Sequence, residues 1–569
     1  MLPRYTFRLI PLDLPLALFL LSAVFGLWPA YDRRLGRNTL IALVAGFLLF
    51  ILISRLAVSR GWWRAIAALI FLAGALLSLY FVTQYAHFGY PEKVGATGRL
   101  GALIGRLVPP AVVWIPEANS AATFLEGILF LAVALVLAEK RWVWRIGGFV
   151  GVGLIALALL MSASRGAWLA VVVVSVLWLA LYWRPARVIA IAGAVLALGL
   201  VITVIVQHDI TVLGEIPIVN RTLAPLFIRP DRLDVYRNSI YLIQDFPLTG
   251  VGLGGPFPMV LSKYALLIQV PFLTYSHNLY LEVWLEQGLP GAIAWLWLMV
   301  ALYQAARTYA RPGDREDRPC PDFLYQATWL GLTAIFIHGI SDARQYVDKW
   351  CWFPFFGLLG LNAAIILRRA SAMPPVMPRP VGQAFQPAIW RRWAFPVGIV
   401  GVFLIAVLLS LQPLSATYHA NLGCVLQARG DLLASLDEAQ KGALRQQAVD
   451  HYRRAIQIAS YNRTAQQRLG VILMDENRFD EAVEHLEIAW QADPNNTTTH
   501  KALGLAYVWV GELEKAKPLL ENAPDIVAEL NAWGWWRGTQ QQTEQSINAY
   551  RMSLLLKPDQ PALKELLDQ

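Results

Sequence analysis

Two arginines and one histidine are the candidate functional residues of this sequence. Arg165 lies in the segment SASRGAW (162–168) between two apolar stretches, Arg237 lies in a long polar loop, and His277 precedes a further apolar stretch. A guanidinium offers a rigid fork of donors that suits phosphate oxygens, and an imidazole can take a proton from a hydroxyl group. These residue types predict a site that binds a phosphate-bearing substrate beside an acceptor hydroxyl.

Each of these residues also has a purely structural explanation. An arginine at the end of a membrane helix can extend its charge to the interface. A single histidine is more often structural than catalytic, although its titration near neutral pH suits it to proton transfer. From the residues alone, both explanations stay open.

The loop between the second arginine and the histidine is rich in glycine. Its segment PLTGVGLGG (247–255) formally matches the dinucleotide pattern G-x-G-x-x-G, but no strand–helix–strand unit surrounds it. We instead predict a tight turn at Gly250 and Gly252 that lets backbone N–H groups approach a ligand. Further on, Ser276 or Asn278 is expected to cap a helix whose first amides are then free to attract an anion.

The elements that position these residues must be membrane helices. Hydrophobic residues make up 57% of the 569-residue chain and charged residues only 15%. The net charge of +9 comes from short basic clusters between apolar runs, which are typical of topology signals and not of a nucleic-acid surface. Cys320, Cys351 and Cys424 are too far apart in sequence for a zinc motif and are expected to be structural.

A span needs about 20 apolar residues, and on this criterion the chain has about eleven spans. They are 12–29, 38–54, 65–83, 119–138, 146–162, 166–183, 188–207, 279–303, 323–341, 350–367 and 394–412. Four basic segments are predicted to be cytoplasmic: 54–64, 139–145, 303–322 and 368–393. One loop conflicts with this topology, because DRRLGR (32–37) is basic and yet the alternation of spans places it outside.

This topology predicts an all-α protein in two parts. Residues 1–412 form a transmembrane helical bundle whose largest outer loop is 208–278, and residues 413–569 lie on the outer side. Within the loop, apolar residues recur at helical spacing over 231–246. That pattern predicts an amphipathic helix that could lie along the membrane surface.

The C-terminal part repeats itself every 34 residues, as in the pairs Gly470 with Gly504 and Ala482 with Ala516. This period is typical of tetratricopeptide (TPR) repeats, in which small residues occur where the two helices of a hairpin cross. We expect about four hairpins, the first with 13 residues inserted after its first helix, which is enough for a stable α-solenoid. Such a solenoid often binds a protein partner, and a structural cap without a ligand is the alternative.

Several of these pieces occur together in a recognisable order. They are PEANSAA (116–122), SRGA (164–167) at the start of a span, Arg237 before the glycine-rich loop, SHNLYLEVWLEQGLPG (276–291), and HGISD (338–342). The combination resembles the O-antigen ligase and polymerase superfamily over roughly residues 10–370. The TPR extension is not universal in that family.

Members of that family transfer a glycan from undecaprenyl pyrophosphate to an acceptor hydroxyl at the bacterial inner membrane, without a metal or other cofactor. The resemblance implies that Arg165 and Arg237 contact the pyrophosphate and that His277 activates the acceptor. Three further residues are expected to support the site: Asn278, Gly250 and Gly252. Independently, the outer loops between spans contain no D-x-D pair or acidic cluster that would hold a metal ion.

The expected partners are the lipid-linked donor, membrane lipids, and an acceptor that is a lipid core, a growing polysaccharide or a protein, with ligation ranked first. A protein partner on the TPR region is a further expectation, and nucleic acid is not expected. A metal-dependent polyprenyl-phosphate glycosyltransferase would carry acidic residues in its first outer loop, where this chain has only Asp32 beside three arginines. A transporter or non-enzymatic scaffold is also less favoured, because transporters usually show internal repeats and none is evident.

Overall fold

The chain is mainly helical in the part that the structure, a computed structural model, describes. That part comprises residues 9–90, 96–207, 211, 216, 230–268, 270–309, 322–372, 387–411 and 413–568, and it contains no β-strand. The predicted all-α class is therefore confirmed. The first eight helices are α1 (Asp13–Gly26), α2 (Arg33–Leu56), α3 (Arg60–Gln84), α4 (Ala96–Leu107), α5 (Ala118–Ala138), α6 (Trp142–Met161), α7 (Arg165–Ala180) and α8 (Arg184–Gln207).

The next seven helices complete the apolar part of the chain. They are α9 (Pro230–Asp245), α10 (Phe257–Leu261), α11 (Leu279–Tyr309), α12 (Asp322–His338), α13 (Arg344–Val347), α14 (Trp352–Ala372) and α15 (Pro387–Ser410). Helix α11 is kinked at Gly288, whose φ of 66° is left-handed, and Pro290 follows two residues later. Its first nine residues therefore form a separate segment at the mouth of the span.

Among the described residues, seven helices are long and apolar enough to cross a membrane, or eight if the bent pair of α15 and the following helix counts as one span. The prediction of a multi-pass helical membrane protein is confirmed. Each of the eleven predicted spans coincides with a helix, but α1 and α7 have only 14 and 16 residues. The count of eleven therefore remains a prediction.

Helix α5 lies at the centre of the bundle, in contact with α3, α6, α12 and α14. Small residues permit this close packing; a Cβ on Gly331 of α12, for example, would collide with the backbone of Gly127 of α5. Helix α8, in contrast, buries none of its most apolar window. Such an apolar surface suits contact with lipid.

The C-terminal part consists of four helical hairpins and a final helix, as the period of 34 predicts. Its helices are α16 (Leu414–Leu432), α17 (Glu438–Ile458), α18 (Arg463–Asp475), α19 (Phe479–Ala492), α20 (Thr497–Val510), α21 (Leu513–Leu520), α22 (Ile526–Thr539), α23 (Thr543–Leu556) and α24 (Pro561–Asp568). The repeated glycines face the partner helix of each hairpin: Gly470 meets Leu486, and Gly504 meets Leu520.

The first hairpin accommodates its insertion by lengthening both helices. Helices α16 and α17 contain 19 and 21 residues, against 13 and 14 in the second hairpin. The sequence analysis placed the inserted residues after the first helix, whereas the structure distributes them over both helices.

The basic segment 32–37, which was predicted as a loop, forms the N-cap and first turn of α2 and lies on the same side of the bundle as the glycine-rich loop and the repeats. The N–H of Leu253 donates to the carbonyl of Gly26 (2.8 Å), and the side chain of Arg429 in α16 donates to the carbonyl of Trp28 (2.6 Å). Gly254 contacts the backbone at the start of α2. These contacts agree with the alternation of spans and not with the basic character of the loop.

Some residues on which the sequence predictions rest lie outside the described part: Arg311, Arg315, Arg318, Cys320 and 217–229 of the large loop. Cys351 and Cys424 are described, and both are buried free thiols.

Candidate functional site

The turn that ends α12 is the point where separate sequence pieces meet, and we call residues 338–342 the hub turn. The side-chain amide of Asn119, at the start of α5, donates to Asp342 (2.9 Å). The side-chain amide of Asn278, before α11, donates to the carbonyl of Ile340 (2.9 Å). The segments 116–122, 276–291 and 338–342, which are far apart in sequence, are therefore adjacent in the fold.

Helix α9, which lies in the large loop 208–278, reaches the same turn. The hydroxyl of Tyr236 donates to the carbonyls of His277 (3.0 Å) and Ile340 (3.3 Å), and Arg232 donates to the carbonyl of Ser341. Burial raises the pKa of Tyr236 to about 12, so its phenol remains a donor at neutral pH. The predicted amphipathic helix is confirmed, but its inner face contacts protein and not the membrane surface.

His277 occupies a strained position beside the hub turn. Its φ of 56° is left-handed, which non-glycine residues rarely adopt and which costs on the order of 1–3 kcal/mol. Its ring centre lies 4.2 Å from that of Tyr275, and its carbonyl is held by Tyr236. Such strain is characteristic of functional sites, where the surrounding structure enforces it.

Asn278 caps helix α11, in place of the serine two residues before it. Its side-chain oxygen accepts from the N–H groups of Tyr280 (3.0 Å) and Leu281 (3.1 Å). The N–H of Leu279 donates to Gly339 of the hub turn (2.7 Å). The expectation that these amides are free for an anion is therefore wrong, and Asn278 instead fixes the helix start to the hub turn.

Helix α7 begins at Arg165 and packs directly on the hub turn. A Cβ on Gly166 would lie 2.5 Å from Ser341 Oγ and 2.7 Å from a ring carbon of His338. Ala163, just before the helix, has a left-handed φ of 53°. The side chain of Arg165 is exposed, and the next residue along the chain, Gly166, contacts the hub turn.

A buried contact between a histidine and a glutamate, which the sequence analysis missed, supports the hub turn from within the bundle. His338 Nδ1 lies 3.0 Å from Glu126 Oε1, and the two side chains are 3% and 0% exposed. Removing one partner of such a contact typically costs about 1–3 kcal/mol, because the other polar group is left buried without its hydrogen bond. A signal existed, since Glu126 is the single acid within the apolar span 119–138, and an ionisable residue there usually has a function.

Arg237 lies next to the contact residue Tyr236 but makes different contacts. Its guanidinium pairs with Asp234 (2.7 Å) and approaches Thr211 Oγ1 at 3.5 Å. The arginine of α9 that touches the hub turn is Arg232, which the sequence analysis did not single out. Its spacing of four residues from Tyr236 on one helical face could have revealed it.

The glycine-rich loop forms the predicted tight turns, with φ of 67° at Gly250 and 113° at Gly252. Both glycines are required by close packing, because a Cβ would collide with the backbone of α11 at Gly250 and with Ala30 at Gly252. The N–H groups of Gly254 and Gly255 donate to Glu286 of α11 (2.8 and 2.7 Å), and that of Val251 donates to the carbonyl of Leu285 (2.6 Å). The glycine-rich loop is therefore closed onto the bundle.

A further arginine lies over the ring of Tyr275, which in turn contacts the ring of His277. The guanidinium of Arg344 stacks over the ring of Tyr275 at 4.6 Å and pairs with Glu117 (3.6 Å) and Asp348 (3.2 Å). Nothing in its sequence context distinguishes it, because only the fold brings it to Tyr275. Within the described residues, no three His, Cys, Asp or Glu side chains are grouped as metal ligands would be.

Fold and site together define a multi-pass helical membrane protein in which α5, α7, α9 and the start of α11 converge on one turn. Comparison with protein families gives two matches: residues 150–296 match the O-antigen ligase family, and residues 473–533 match the tetratricopeptide repeat. The chain therefore contains a segment that matches the O-antigen ligase family and a C-terminal segment that matches the TPR, and the ligase family implies a glycosyltransferase-type enzyme. No curated protein matches the chain.

The matched region 150–296 contains Arg165, Arg237 and His277 but neither Asn119 nor the hub turn. The contribution of α5 and α12 to the site is therefore inferred from the structure of this chain and not from the family match.

Proposed function

We propose that this protein transfers a glycan from undecaprenyl pyrophosphate to the hydroxyl group of an acceptor, without a metal ion, at the outer face of the bacterial inner membrane. The observation that carries the proposal is the convergence of α5, α7, α9 and the start of α11 on the hub turn. That convergence brings Gly166 and Asn278, the chain neighbours of Arg165 and His277, to the same five residues.

Arg165 and Arg237 bind the pyrophosphate of the donor. Planar guanidiniums form paired, charge-assisted hydrogen bonds with phosphate oxygens. Helix α7 adds the positive end of its dipole, because it begins at Arg165 and Ser164 does not cap it with its side chain. As the sugar–oxygen bond breaks, these groups neutralise the charge that develops on the leaving pyrophosphate.

His277 accepts the proton of the acceptor hydroxyl. The acceptor oxygen forms a bond to the anomeric carbon, the bond from that carbon to the pyrophosphate oxygen breaks, and undecaprenyl pyrophosphate leaves with the bonding electrons. One direct displacement inverts the anomeric configuration. The contacts of His277 with Tyr275 and Tyr236 hold the imidazole and its backbone in place for this step.

Residues 1–412 act as the transmembrane transferase domain, and residues 413–569 lie on the periplasmic side. The hydrogen bond from Arg429 to the carbonyl of Trp28 supports this assignment, because it joins the repeats to the same end of the bundle as the glycine-rich loop. Asn278 supports the site as the cap of α11, and Gly250 and Gly252 support it by closing the loop.

The decisive experiment compares His277→Ala with His500→Ala, which replaces a half-buried histidine of the TPR region, in purified full-length protein. Donor and candidate acceptors are supplied, and products are separated on a gel. His277→Ala should lose about 10²–10⁴-fold in turnover with nearly unchanged donor affinity, because a general base acts only in the chemical step. His500→Ala should behave as wild type.

The products also separate the acceptor classes. One added block indicates a ligase, a ladder indicates a polymerase, and a shifted protein band indicates protein glycosylation. Transfer by His277→Ala at the wild-type rate would remove His277 from the catalytic role.

A further inference from the structure

The TPR region holds a segment of its own chain. This segment runs from Tyr241, near the end of α9, to Leu267, and we call it the docked segment. It is contacted by α16, α18 and α20, the first helices of the first three hairpins. Successive first helices line the face that solenoids of this kind use for binding.

The central contact is an ion pair buried between α9 and α18. Asp245 accepts two hydrogen bonds from Arg468 (2.6 and 3.1 Å), and it also contacts Arg463 and the hydroxyl of Thr464, each at 2.9 Å. The side chains of Asp245 and Arg468 are only 4% and 2% exposed. Burial alone would raise the pKa of Asp245, but the two arginines outweigh it and hold the pKa below its usual value.

Arg468 joins both ends of the docked segment. Its guanidinium lies 4.1 Å from the ring centre of Tyr264 and 5.7 Å from that of Phe246. The hydroxyl of Tyr264 donates in turn to Asp431 at the end of α16 (2.9 Å). The guanidinium of Arg468 thus binds both Asp245, at the end of α9, and the ring of Tyr264, which lies 19 residues further along the chain.

Other side chains of the repeats bind the backbone of the docked segment, as a receptor binds a peptide. The side-chain oxygen of Asn421 accepts from the N–H groups of Leu248 (2.9 Å) and Thr249 (3.2 Å). The hydroxyl of Thr498 donates to the carbonyl of Ala265 (2.7 Å). Because they bind main-chain groups, these contacts set the position of the segment along the solenoid.

Helix α9 connects the docked segment to the candidate site. Asp245 is the last residue of α9, and Arg232 lies 13 residues before it, about 20 Å along a helix that rises 1.5 Å per residue. Arg232 and Tyr236 are the residues of α9 that reach the hub turn. A rigid helix held at one end by the repeats therefore presents its other end to the site.

We propose that the TPR region is an intramolecular clamp, in which Arg468 is a positioning residue. Through Asp245, Arg468 holds α9 so that Arg232 and Tyr236 stay at the hub turn beside His277. The effect on transfer rests on the proposed function, but the clamping itself does not. A protein that binds the inner faces of α16, α18 and α20 must first displace the docked segment.

The test uses full-length protein in detergent and the variant Arg468→Met, which keeps an unbranched apolar side chain and removes the guanidinium. The control is Arg478→Met, which removes an exposed arginine of the same region that pairs with Glu476 and Glu481 on the surface. Hydrogen exchange of residues 230–245 and of α22–α23 is measured together with kcat and KM for transfer. Arg468→Lys tests rescue by a charge without the planar fork.

For Arg468→Met we expect exchange across α9 to accelerate by about tenfold or more while α22–α23 stay protected, because one end of α9 is released. We also expect kcat to fall about tenfold or more with little change in the KM for the donor, with partial recovery in Arg468→Lys. Arg478→Met should match wild type in both measurements.

Unchanged exchange across α9 would overturn the clamp. Faster exchange with wild-type kcat would overturn the positioning role. If Arg468→Met does not fold, Asn421→Ala, which removes the contacts with the N–H groups of Leu248 and Thr249 and with the Thr249 hydroxyl, is held to the same two criteria. If wild-type protein transfers no glycan at all, the proposed function fails, whereas the exchange data still decide the clamp.

Discussion

Replacing Gly166 with alanine adds one methyl group at the contact between α7 and the hub turn. The new carbon would lie 2.7 Å from a ring carbon of His338, where ordinary contacts begin at 3.4 Å, so the ring and the helix must separate by about 0.7 Å. Ser341 can rotate away, but the imidazole is held by its 3.0 Å contact with Glu126. The strain therefore falls on the hub turn or on the start of α7 beside Arg165.

The expected cost follows from this displacement. Overpacking of a close helix contact typically destabilises a protein by about 1–3 kcal/mol, and a misplacement of about 1 Å in a catalytic arrangement can cost about 10²-fold in rate. We expect Gly166→Ala to lower transfer by about 10- to 100-fold and to reduce the melting temperature. The loss should exceed any gain from the better helix propensity of alanine, which is worth about 0.5–1 kcal/mol.

Gly153→Ala is the matched control, because Gly153 lies inside α6 and no atom of another element lies within 4 Å of its Cβ position. Both variants are purified in the same detergent and assayed for transfer and thermal unfolding. The control should retain wild-type transfer. If Gly166→Ala also transfers at the wild-type rate, the contact between α7 and the hub turn does not position the site, and the reasoning is refuted.

Arg165→Lys and Arg237→Lys keep the charge but lose the planar fork, so each should weaken donor use by about 1–3 kcal/mol in assays of donor dependence; wild-type behaviour of both would exclude them from the donor site. A reporter that is active only in the cytoplasm, fused after Gln569, should be silent, and activity would require an odd change in the number of spans. Burial lowers the pKa of His419 and His451, whose Nδ1 atoms lie 2.9 Å apart. The unfolded chain then binds more protons, so this contribution to stability is complete above about pH 6.5 and declines as the pH falls through that value. Melting curves at pH 7.5 and 5.5 should show the decline, and His451→Gln should reduce it; an equal decline in that variant would contradict the assignment.

The sequence by itself determined the class of this protein and the order of its parts. Apolar runs of membrane length can be stable only as lipid-embedded helices, so the α-helical bundle could be predicted without coordinates. The period of 34 likewise defined the repeats, because each small residue is required by contacts inside one hairpin. The segments that contain Arg165 and His277 were also recognisable, since their motifs are local in the chain.

Only the tertiary structure decided which residues surround these motifs. Glu126 and His338 are 212 residues apart, and Asp245 and Arg468 are 223 residues apart, so no local pattern pairs them. The same holds for the choice of Arg232 over Arg237 at the hub turn, which depends on the rotation of α9 about its axis. Helical periodicity specifies which residues share a face, but the neighbour of that face is set by the packing of distant elements, where buried charges must find partners.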